Sequence, residues 1–192
     1  MQNLATQKEY TYGDYFGWNQ EGRCELIDGR VYDMTPAPLR RHQQISMSLS
    51  GKIWSRLQGG SPCEVYAAPF DVRLPDTDEA DEDIRTVVQP DISVICDPSK
   101  LDEKGCRGAP DWIIEIVSPS TASHDYIRKL ALYEKHGVRE YWIVHPVDRI
   151  AMAYRMSEEG RYGRPEIASV EDRLEAQAVG GLVIELREVF EP

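Results

Sequence analysis

The chain has 192 residues, of which 41% are hydrophobic and 29% charged, the composition of a globular protein with a sizeable core. No apolar stretch approaches the roughly 20 residues of a membrane-spanning helix, and the first residues lack the basic start and apolar core of a signal peptide. We therefore expect a single cytoplasmic domain over residues 1–192 that makes no membrane contact. The formal net charge of −11 opposes nucleic-acid binding, because affinity for DNA comes largely from basic side chains that neutralise phosphates.

The cysteines are scattered along the chain and form no C-x-x-C pair. Neither a zinc cluster nor a disulfide framework is therefore indicated. We expect reduced thiols, some of them simply core residues, at Cys24, Cys63, Cys96 and Cys106.

The first predicted element is a β-hairpin over residues 24–34 that turns at Asp28-Gly29, a dipeptide that favours tight turns. The breaker TPAP at 35–38 separates it from a helix predicted over about 39–58. Gly59-Gly60 ends this helix. Its buried face is predicted to be an apolar stripe of Ile45, Leu49, Ile53, Trp54 and Leu57.

Three strands are predicted next, at 63–74, 86–95 and 111–118. Between the first two lies PDTDEADED at 75–83, a segment with six acids and no base. It lacks the turn glycine and the closing glutamate of a calcium loop. We interpret it as a solvated, mobile loop.

A second helix is predicted within residues 118–138, and Gly137 is placed to end it. The candidate N-caps are Ser120, Thr121 and Ser123. The core-facing arc is predicted to consist of Ile127, Leu130 and Ala131.

Strands at 140–146 and 149–155 follow, and the tail from Gly180 offers one more strand or a short closing element. The central order is helix, strand, strand, strand, helix, strand. This order predicts an α/β fold, a central mixed β-sheet flanked by helices. The core is expected over about 39–156, with the N-terminal hairpin added to it.

Two acids stand out on the predicted strands. Strand alternation places Glu115 on one face with Ile113 and Val117, and it places Asp91 on one face of the preceding strand. If the strands are neighbours in suitable register, the two carboxylates converge, and they repel each other unless a cation lies between them or one keeps its proton. Mg²⁺ or Mn²⁺ suits such oxygen ligands. Alternatively, each acid pairs with a structural arginine or caps a loop.

The second helix adds a lysine. Asp125, Lys129 and Tyr133 are spaced i, i+4, i+8 and so lie in one stripe. Lys129 falls beyond the edge of the predicted core-facing arc, where its stem can follow apolar surface and bring the ammonium to the end of the sheet. The alternative is an exposed Asp-Lys pair on the helix surface.

The chain thus contains P-D, then E-I-V-S, then D-x-x-x-K-x-x-x-Y, then G-V-x-E-Y-W-I-V. This combination resembles the PD-(D/E)XK nuclease superfamily and, more narrowly, the Uma-type family of restriction endonuclease-like proteins. The resemblance covers most of the chain. It begins with ELIDG at 25–29 and His42, and it continues through QPDISV, PDWIIEIVSPST, KLALYEKHGV and EYWIVHP to GLVIEL.

The resemblance implies a restriction endonuclease-like core in which Asp91 and Glu115 bind Mg²⁺ or Mn²⁺. The superfamily usually has its lysine two residues after the second acid, where this chain has Val117. The family resembled here supplies the lysine from the next helix, at Lys129.

Glu25 and His42 match further positions of the family, which line the same cleft. The alternative for His42 is an ordinary polar residue at the start of the first helix.

The activity implied is that of a Mg²⁺-dependent endonuclease that hydrolyses DNA phosphodiester bonds as a homodimer. Candidate DNA contacts are Arg40, Arg41, Arg107, Arg128 and Arg139. The alternative is a catalytically silent nuclease-fold module with an interaction or regulatory role. A hydrolase built on Ser118 and His124 is not favoured, since both flank a helix start and no G-x-S-x-G motif is present.

Overall fold

The computed structural model describes residues 8–18, 23–34, 38–118 and 123–191. The α-helices are α1 (Tyr12–Phe16), α2 (Arg40–Leu57), α3 (Leu130–His136) and α4 (Leu186–Phe190), and a π-helical turn, His124–Lys129, leads directly into α3. The strands, in chain order, are β1 (Cys24–Ile27), β2 (Arg30–Asp33), β3 (Glu64–Ala67), β4 (Val72–Arg73), β5 (Val87–Val88), β6 (Ile92–Ile95), β7 (Leu101–Asp102), β8 (Gly105–Arg107), β9 (Trp112–Ile116), β10 (Glu140–His145), β11 (Ile150–Arg155), β12 (Glu166–Ser169), β13 (Arg173–Ala176) and β14 (Leu182–Glu185). No helix in this described part of the chain is both long and apolar enough to cross a membrane.

The described strands form two mixed sheets of six strands and a two-stranded ribbon of β13 and β14. The first sheet has the order β2-β1-β5-β4-β8-β7, and the second has the order β12-β11-β10-β9-β6-β3. In the second sheet β9 and β10 are parallel and are connected through α3, while the other neighbouring pairs are antiparallel. The predicted α/β fold with a central mixed sheet is therefore confirmed.

The second sheet lies between two apolar layers. One face packs against α2 and the C-terminal segment and contributes Trp112, Ile114 and Trp142. The other face, with Ile113 and Tyr141, packs against the first sheet and α3. Since side chains alternate along a strand, β9 supplies both layers and is buried throughout.

The predicted hairpin and first helix are confirmed. β1 and β2 pair antiparallel, and Asp28 and Gly29 have φ values of 48° and 77°, the left-handed conformations of a tight hairpin turn. α2 follows the predicted bounds within one residue at each end. Assigning Trp54 to its buried stripe is wrong, because consecutive helical residues are about 100° apart and the buried Ile53 turns Trp54 to solvent.

Some predicted local features lie at or beyond the limits of the described ranges. TPAP falls mostly outside them, as do the candidate caps Ser120 and Thr121. Ser123 precedes the π-helical turn but makes no side-chain capping hydrogen bond.

Two of the predicted strands are each divided between the sheets. Residues 63–74 contain β3 of the second sheet and β4 of the first, and residues 86–95 contain β5 of the first and β6 of the second. Pro69 and Pro90 lie at the two crossings, because a residue without an N–H interrupts a strand ladder. The second crossing places Gln89 at the end of one sheet and Asp91 at the start of the other.

The expectation of four reduced cysteines is wrong. Cys63 and Cys96 form a disulfide bond. β3 and β6 are antiparallel with Glu64 opposite Ile95, so the two cysteines are the next opposing pair. Cys106 is a buried thiol, and burial raises its pKa to about 12.

Most of the acidic segment is exposed, as predicted for a solvated loop, but two of its acids form ion pairs with the domain. Asp81 accepts hydrogen bonds from the guanidinium groups of Arg73 and Arg107. Asp76 Oδ1 lies 2.7 Å from Lys135 Nζ. Arg73 is fully buried, and a buried cation requires anionic partners, so this segment is anchored to the domain by its charges.

The substitution Leu49→Ala is expected to lower the free energy of unfolding by about 2–5 kcal/mol, because Leu49 is fully buried against the second sheet and its loss leaves a cavity. Met47→Ala changes an exposed position of the same helix and is the matched control, with an expected change within about 0.5 kcal/mol. Urea unfolding followed by circular dichroism measures both. Equal losses would contradict the assignment of the buried face.

Candidate active site

The register of β6 and β9 brings the two predicted metal-binding acids opposite each other. The strands are antiparallel with Ile92 opposite Ile114, so Asp91 and Glu115 are the next opposing positions. Glu115 lies on the face that packs against the first sheet, and Asp91 is joined to α2 through His42. The register thus produces the convergence expected from strand alternation.

Asp91 is fixed by two donors to one oxygen. Its Oδ2 accepts a hydrogen bond from the Ile116 N–H at 2.8 Å and one from His42 Nε2 at 3.1 Å. His42 lies in the first turn of α2, which packs on the same sheet. These contacts hold the carboxylate orientation through Oδ2, and neither of them uses Oδ1.

Glu115 lies deeper, with a side chain only 6% exposed. Its Oε1 accepts hydrogen bonds from Lys129 Nζ at 2.8 Å and from the Tyr133 hydroxyl at 2.9 Å. Both donors come from the helical segment after β9. Oε2 is used by neither of them.

Glu25 reaches the same place from the first sheet. Its Oε1 accepts the Gln89 N–H at 2.9 Å and lies 2.9 Å from Lys129 Nζ. Its Oε2 lies 3.5 Å from His124 Nε2. β1 and the crossing at Gln89 therefore supply a third carboxylate beside the two on the second sheet.

The helical segment buries polar as well as apolar side chains against the sheets. The predicted core-facing arc is wrong at Ile127, which is 73% exposed, and at the exposed Ala131, whereas Leu130 is half-buried against the apolar layer as predicted. Asp125 and Lys129 are buried instead, in the π-helical turn. The wider π turn and the attraction between Lys129 and two buried carboxylates set this orientation against the apolar pattern.

Lys129 is the common partner in the cluster. Its Nζ lies 2.8 Å from Glu115, 2.9 Å from Glu25 and 4.0 Å from Asp125 Oδ1. Its side chain is 5% exposed. Of the five residues predicted from the sequence, Glu25, Glu115 and Lys129 form one buried cluster, and the hydrogen-bonded pair of Asp91 and His42 lies beside it, across the register from Glu115.

The pKa values of the acids in the cluster shift in opposite directions. Burial acts to raise the pKa of Glu25, but the Lys129 charge and hydrogen bonds from its neighbours outweigh it and lower that pKa to about 2. Burial and the surrounding carboxylates raise the pKa of Glu115 well above its ordinary value, against the attraction of Lys129. Burial acts to lower the pKa of Lys129, yet the carboxylates around it raise that pKa. The site contains more acidic groups than one lysine neutralises.

This excess of oxygen ligands is suited to a hard divalent cation. Nowhere in the four described ranges are three or more His, Cys, Asp or Glu side chains grouped to hold a metal ion. Mg²⁺, however, is commonly held by only one or two carboxylates together with waters and substrate phosphates. Asp91 Oδ1 and Glu115 Oε2, the oxygens left by the contacts above, fit that requirement.

Three further residues of the cluster were not predicted as site residues. Gln89 positions Glu25 through its main chain, and its side-chain amide donates to Asp71 Oδ1 at 2.8 Å. Tyr133 donates to Glu115, and His124 faces Glu25. The sequence signal for Tyr133 is its i+4 spacing from Lys129, and the signal for Gln89 is its position directly before Pro-Asp. No sequence signal indicates His124, which only the fold brings to Glu25.

Comparisons with known proteins agree with this architecture. A family model described as "Uma2: Putative restriction endonuclease" matches residues 12–187. The "Uncharacterized protein slr1290" of Synechocystis sp. is 26% identical over 170 residues, covering 87% of this chain and 84% of that protein. A crystal structure described as a "putative nuclease belonging to DUF820" from Anabaena variabilis has a TM-score of 0.73 at 20% identity, covering 94% of this chain and 97% of that one. At that identity the likeness shows the fold.

The substitution Lys129→Met is expected to lower the free energy of unfolding by about 3–5 kcal/mol, because it leaves Glu25 and Glu115 buried without their cation. Lys135→Met, on the same helical segment, is the matched control. It breaks half-exposed pairs with Asp76 and Asp28 and is expected to cost about 0–1 kcal/mol.

Chemical denaturation at neutral pH measures both variants. Adding Glu115→Gln to Lys129→Met is expected to recover part of the loss, since one unpaired carboxylate is removed. Equal costs for Lys129→Met and Lys135→Met would show that the buried cluster is not held as described.

Proposed function

The chain belongs to the Uma2 restriction endonuclease family, and from this premise we propose that it is a metal-dependent endonuclease that hydrolyses phosphodiester bonds of DNA. The observation that supports the proposal best is the pairing of two carboxylates, Asp91 and Glu115, at opposing strand positions beside a buried lysine. A structural ion pair needs one acid for one base. This cluster has a surplus of acids, as a cation site requires.

Asp91 and Glu115 are the residues that would hold one or two Mg²⁺ or Mn²⁺ ions, which polarise a phosphate and make a bound water more acidic. His42 and the Ile116 amide orient Asp91, and Tyr133 orients Glu115. The carboxylates are thereby preorganised and lose little freedom when a ligand arrives.

Lys129 is a protonated donor to both carboxylates. A fixed ammonium at this point stabilises the negative charge that grows on the phosphate oxygens as water adds to phosphorus and the bond to the leaving oxygen breaks. Glu25 fixes the position of that ammonium from the first sheet. The products are one strand end with a phosphate and one with a hydroxyl group.

DNA as the substrate, Mg²⁺ or Mn²⁺ as the cofactor and a homodimer as the working form are all parts of this proposal. The contrasting candidate is a silent nuclease-fold module. The observation in its favour is that Lys129 already bonds to both Glu25 and Glu115, as it would in a purely structural cluster. The two functions differ in their response to divalent metal.

The substitution Asp91→Asn is expected to lower the rate of Mn²⁺-dependent nicking of supercoiled plasmid by about 100-fold or more, because it removes a fixed charge at the reacting centre. Asp78→Asn makes the same change at an exposed position of the acidic segment and is expected to keep the wild-type rate. Agarose electrophoresis of time courses measures the rates. Equal nicking rates for wild type and Asp91→Asn would show that the nuclease assignment at this site is wrong.

Mn²⁺ is expected to stabilise the wild-type protein. An ion that binds only the folded state adds about 2.7 kcal/mol to the free energy of unfolding when its concentration is 100 times its Kd. The melting temperature is expected to rise by several degrees in Mn²⁺ and to return to its starting value in EDTA. Asp78→Asn is expected to shift like wild type and Asp91→Asn not to shift. If the melting temperature of the wild-type protein does not change with Mn²⁺ in differential scanning fluorimetry, the result supports the silent module.

A further inference from the structure

Arg128 lies at the rim of the carboxylate–lysine cluster. Its guanidinium carbon is 4.3 Å from the centroid of the Tyr32 ring, and its Nη1 donates to His124 Nδ1 at 3.1 Å. His124 Nε2 is in turn 3.5 Å from Glu25 Oε2. A single imidazole ring therefore connects Arg128 to the cluster.

The guanidinium of Arg128 has no carboxylate partner among the described residues. Arg107 and Arg139, also considered as DNA contacts, form ion pairs with carboxylates, and Arg41 donates to a main-chain carbonyl. Arg40 is exposed at the first residue of α2. Arg128 differs from these in being an exposed cation that is held in place beside the site by neutral groups.

A DNA phosphate approaching this site meets a field that repels it. Glu25, Glu115 and Asp125 surround Lys129, and the whole chain has a net charge of −11. Lys129 itself is buried and already shared between carboxylates. Binding the anionic strand therefore requires an accessible cation at the rim.

We propose that Arg128 is the substrate-phosphate anchor of the site, binding a backbone phosphate of the DNA strand next to the bond that is cut. This inference depends on the proposed function and names the residue that recognises its substrate class. A guanidinium has five N–H donors in its plane, and a ring contact uses its face rather than these donors. With one donor on His124, the remaining donors are available for two-point binding of a phosphate.

Tyr32 and His124 act as positioning residues for this anchor. Tyr32 lies on β2, and its ring fixes the guanidinium by a cation–π contact. His124 accepts from Arg128 through Nδ1, so in its neutral form its proton is on Nε2, facing Glu25. The rim is thus built from the first sheet and the π-helical turn together.

The test uses the full chain with Arg128→Ala and Arg128→Lys, and with Arg173→Ala as the matched control. Arg173 is exposed on β13, whose buried residues pack on the opposite face of the second sheet. Tyr32→Phe keeps the ring, whereas Tyr32→Leu removes it. Two readouts are taken: KM and kcat for Mn²⁺-dependent cutting of a labelled DNA duplex, and binding of that duplex by fluorescence anisotropy in Ca²⁺ over a series of salt concentrations.

Arg128→Ala is expected to raise KM about tenfold or more, to leave kcat within a few-fold of wild type, and to reduce the salt slope of binding by about 1. Arg128→Lys is expected to lose part of the affinity, because lysine keeps the charge but not the planar fork. Tyr32→Leu is expected to raise KM more than Tyr32→Phe does, because only the leucine variant loses the ring under the guanidinium. Arg173→Ala is expected to match wild type, and thermal unfolding confirms that each variant is folded.

If Arg128→Ala matches Arg173→Ala in KM and salt slope while cutting persists, the anchor is wrong and the proposed function stands. A loss of kcat at unchanged KM would also overturn it, since Arg128 would then act on the reacting atoms rather than anchor the strand. A wild-type protein that neither binds nor cuts the duplex would overturn the proposed function together with the anchor.

Discussion

The interaction on which this structure depends is the buried bridge of Lys129 Nζ between Glu25 and Glu115. Glu25 belongs to the first sheet, Glu115 to the second, and Lys129 to the helical segment that connects β9 to β10. Without the ammonium the two buried carboxylates would repel each other, and the first sheet and the second would be pushed apart at this point. Such a cluster contributes little net stability compared with apolar packing. Its effect is on geometry, because it determines which side of the helix faces inward and where the sheets meet.

The second determinant is the way the chain passes between the sheets. The crossing at Pro90 has Gln89 on one side and Asp91 on the other, so the two polar residues that flank the proline serve both halves of the site. Gln89 holds Glu25 through its N–H, and Asp91 is held by the Ile116 amide and His42. A continuous strand would have placed Gln89 and Asp91 in a single sheet, on the same face. The interruption of the ladder at a proline therefore lets this short segment serve both sheets: Gln89 holds Glu25, which contacts Lys129, and Asp91 lies opposite Glu115.

Part of the excess acidity of the chain is taken up in ion pairs within the fold. Two acids of the acidic segment are paired with basic side chains, Asp81 with Arg73 and Arg107 and Asp76 with Lys135, so these charges anchor the segment to the fold. The same pairs consume basic groups that would otherwise be available for phosphates. A protein arranged in this way has no need of a broad basic face to act on DNA, provided that a metal and a few placed cations supply the local attraction. Electrostatics at the site, rather than net charge, then decides which ligands bind.

The sequence by itself determined several elements and the residues of the candidate site: the turn at Asp28-Gly29, the extent of α2, the alternation that places Glu115 apart from Trp112 and Ile114, and the resemblance that links Lys129 to Asp91. These features depend on local conformation and on side-chain period, which a single segment carries in full.

Only the tertiary structure decided that 63–74 and 86–95 are each shared between sheets, that β12 and β13 form, that Cys63 meets Cys96, and that Lys129 rather than Ile127 is buried. Each of these outcomes depends on partners distant in the chain. Apolar periodicity predicted that Ile127 would face the core, but the attraction of two carboxylates for one ammonium in a low-dielectric interior outweighed it.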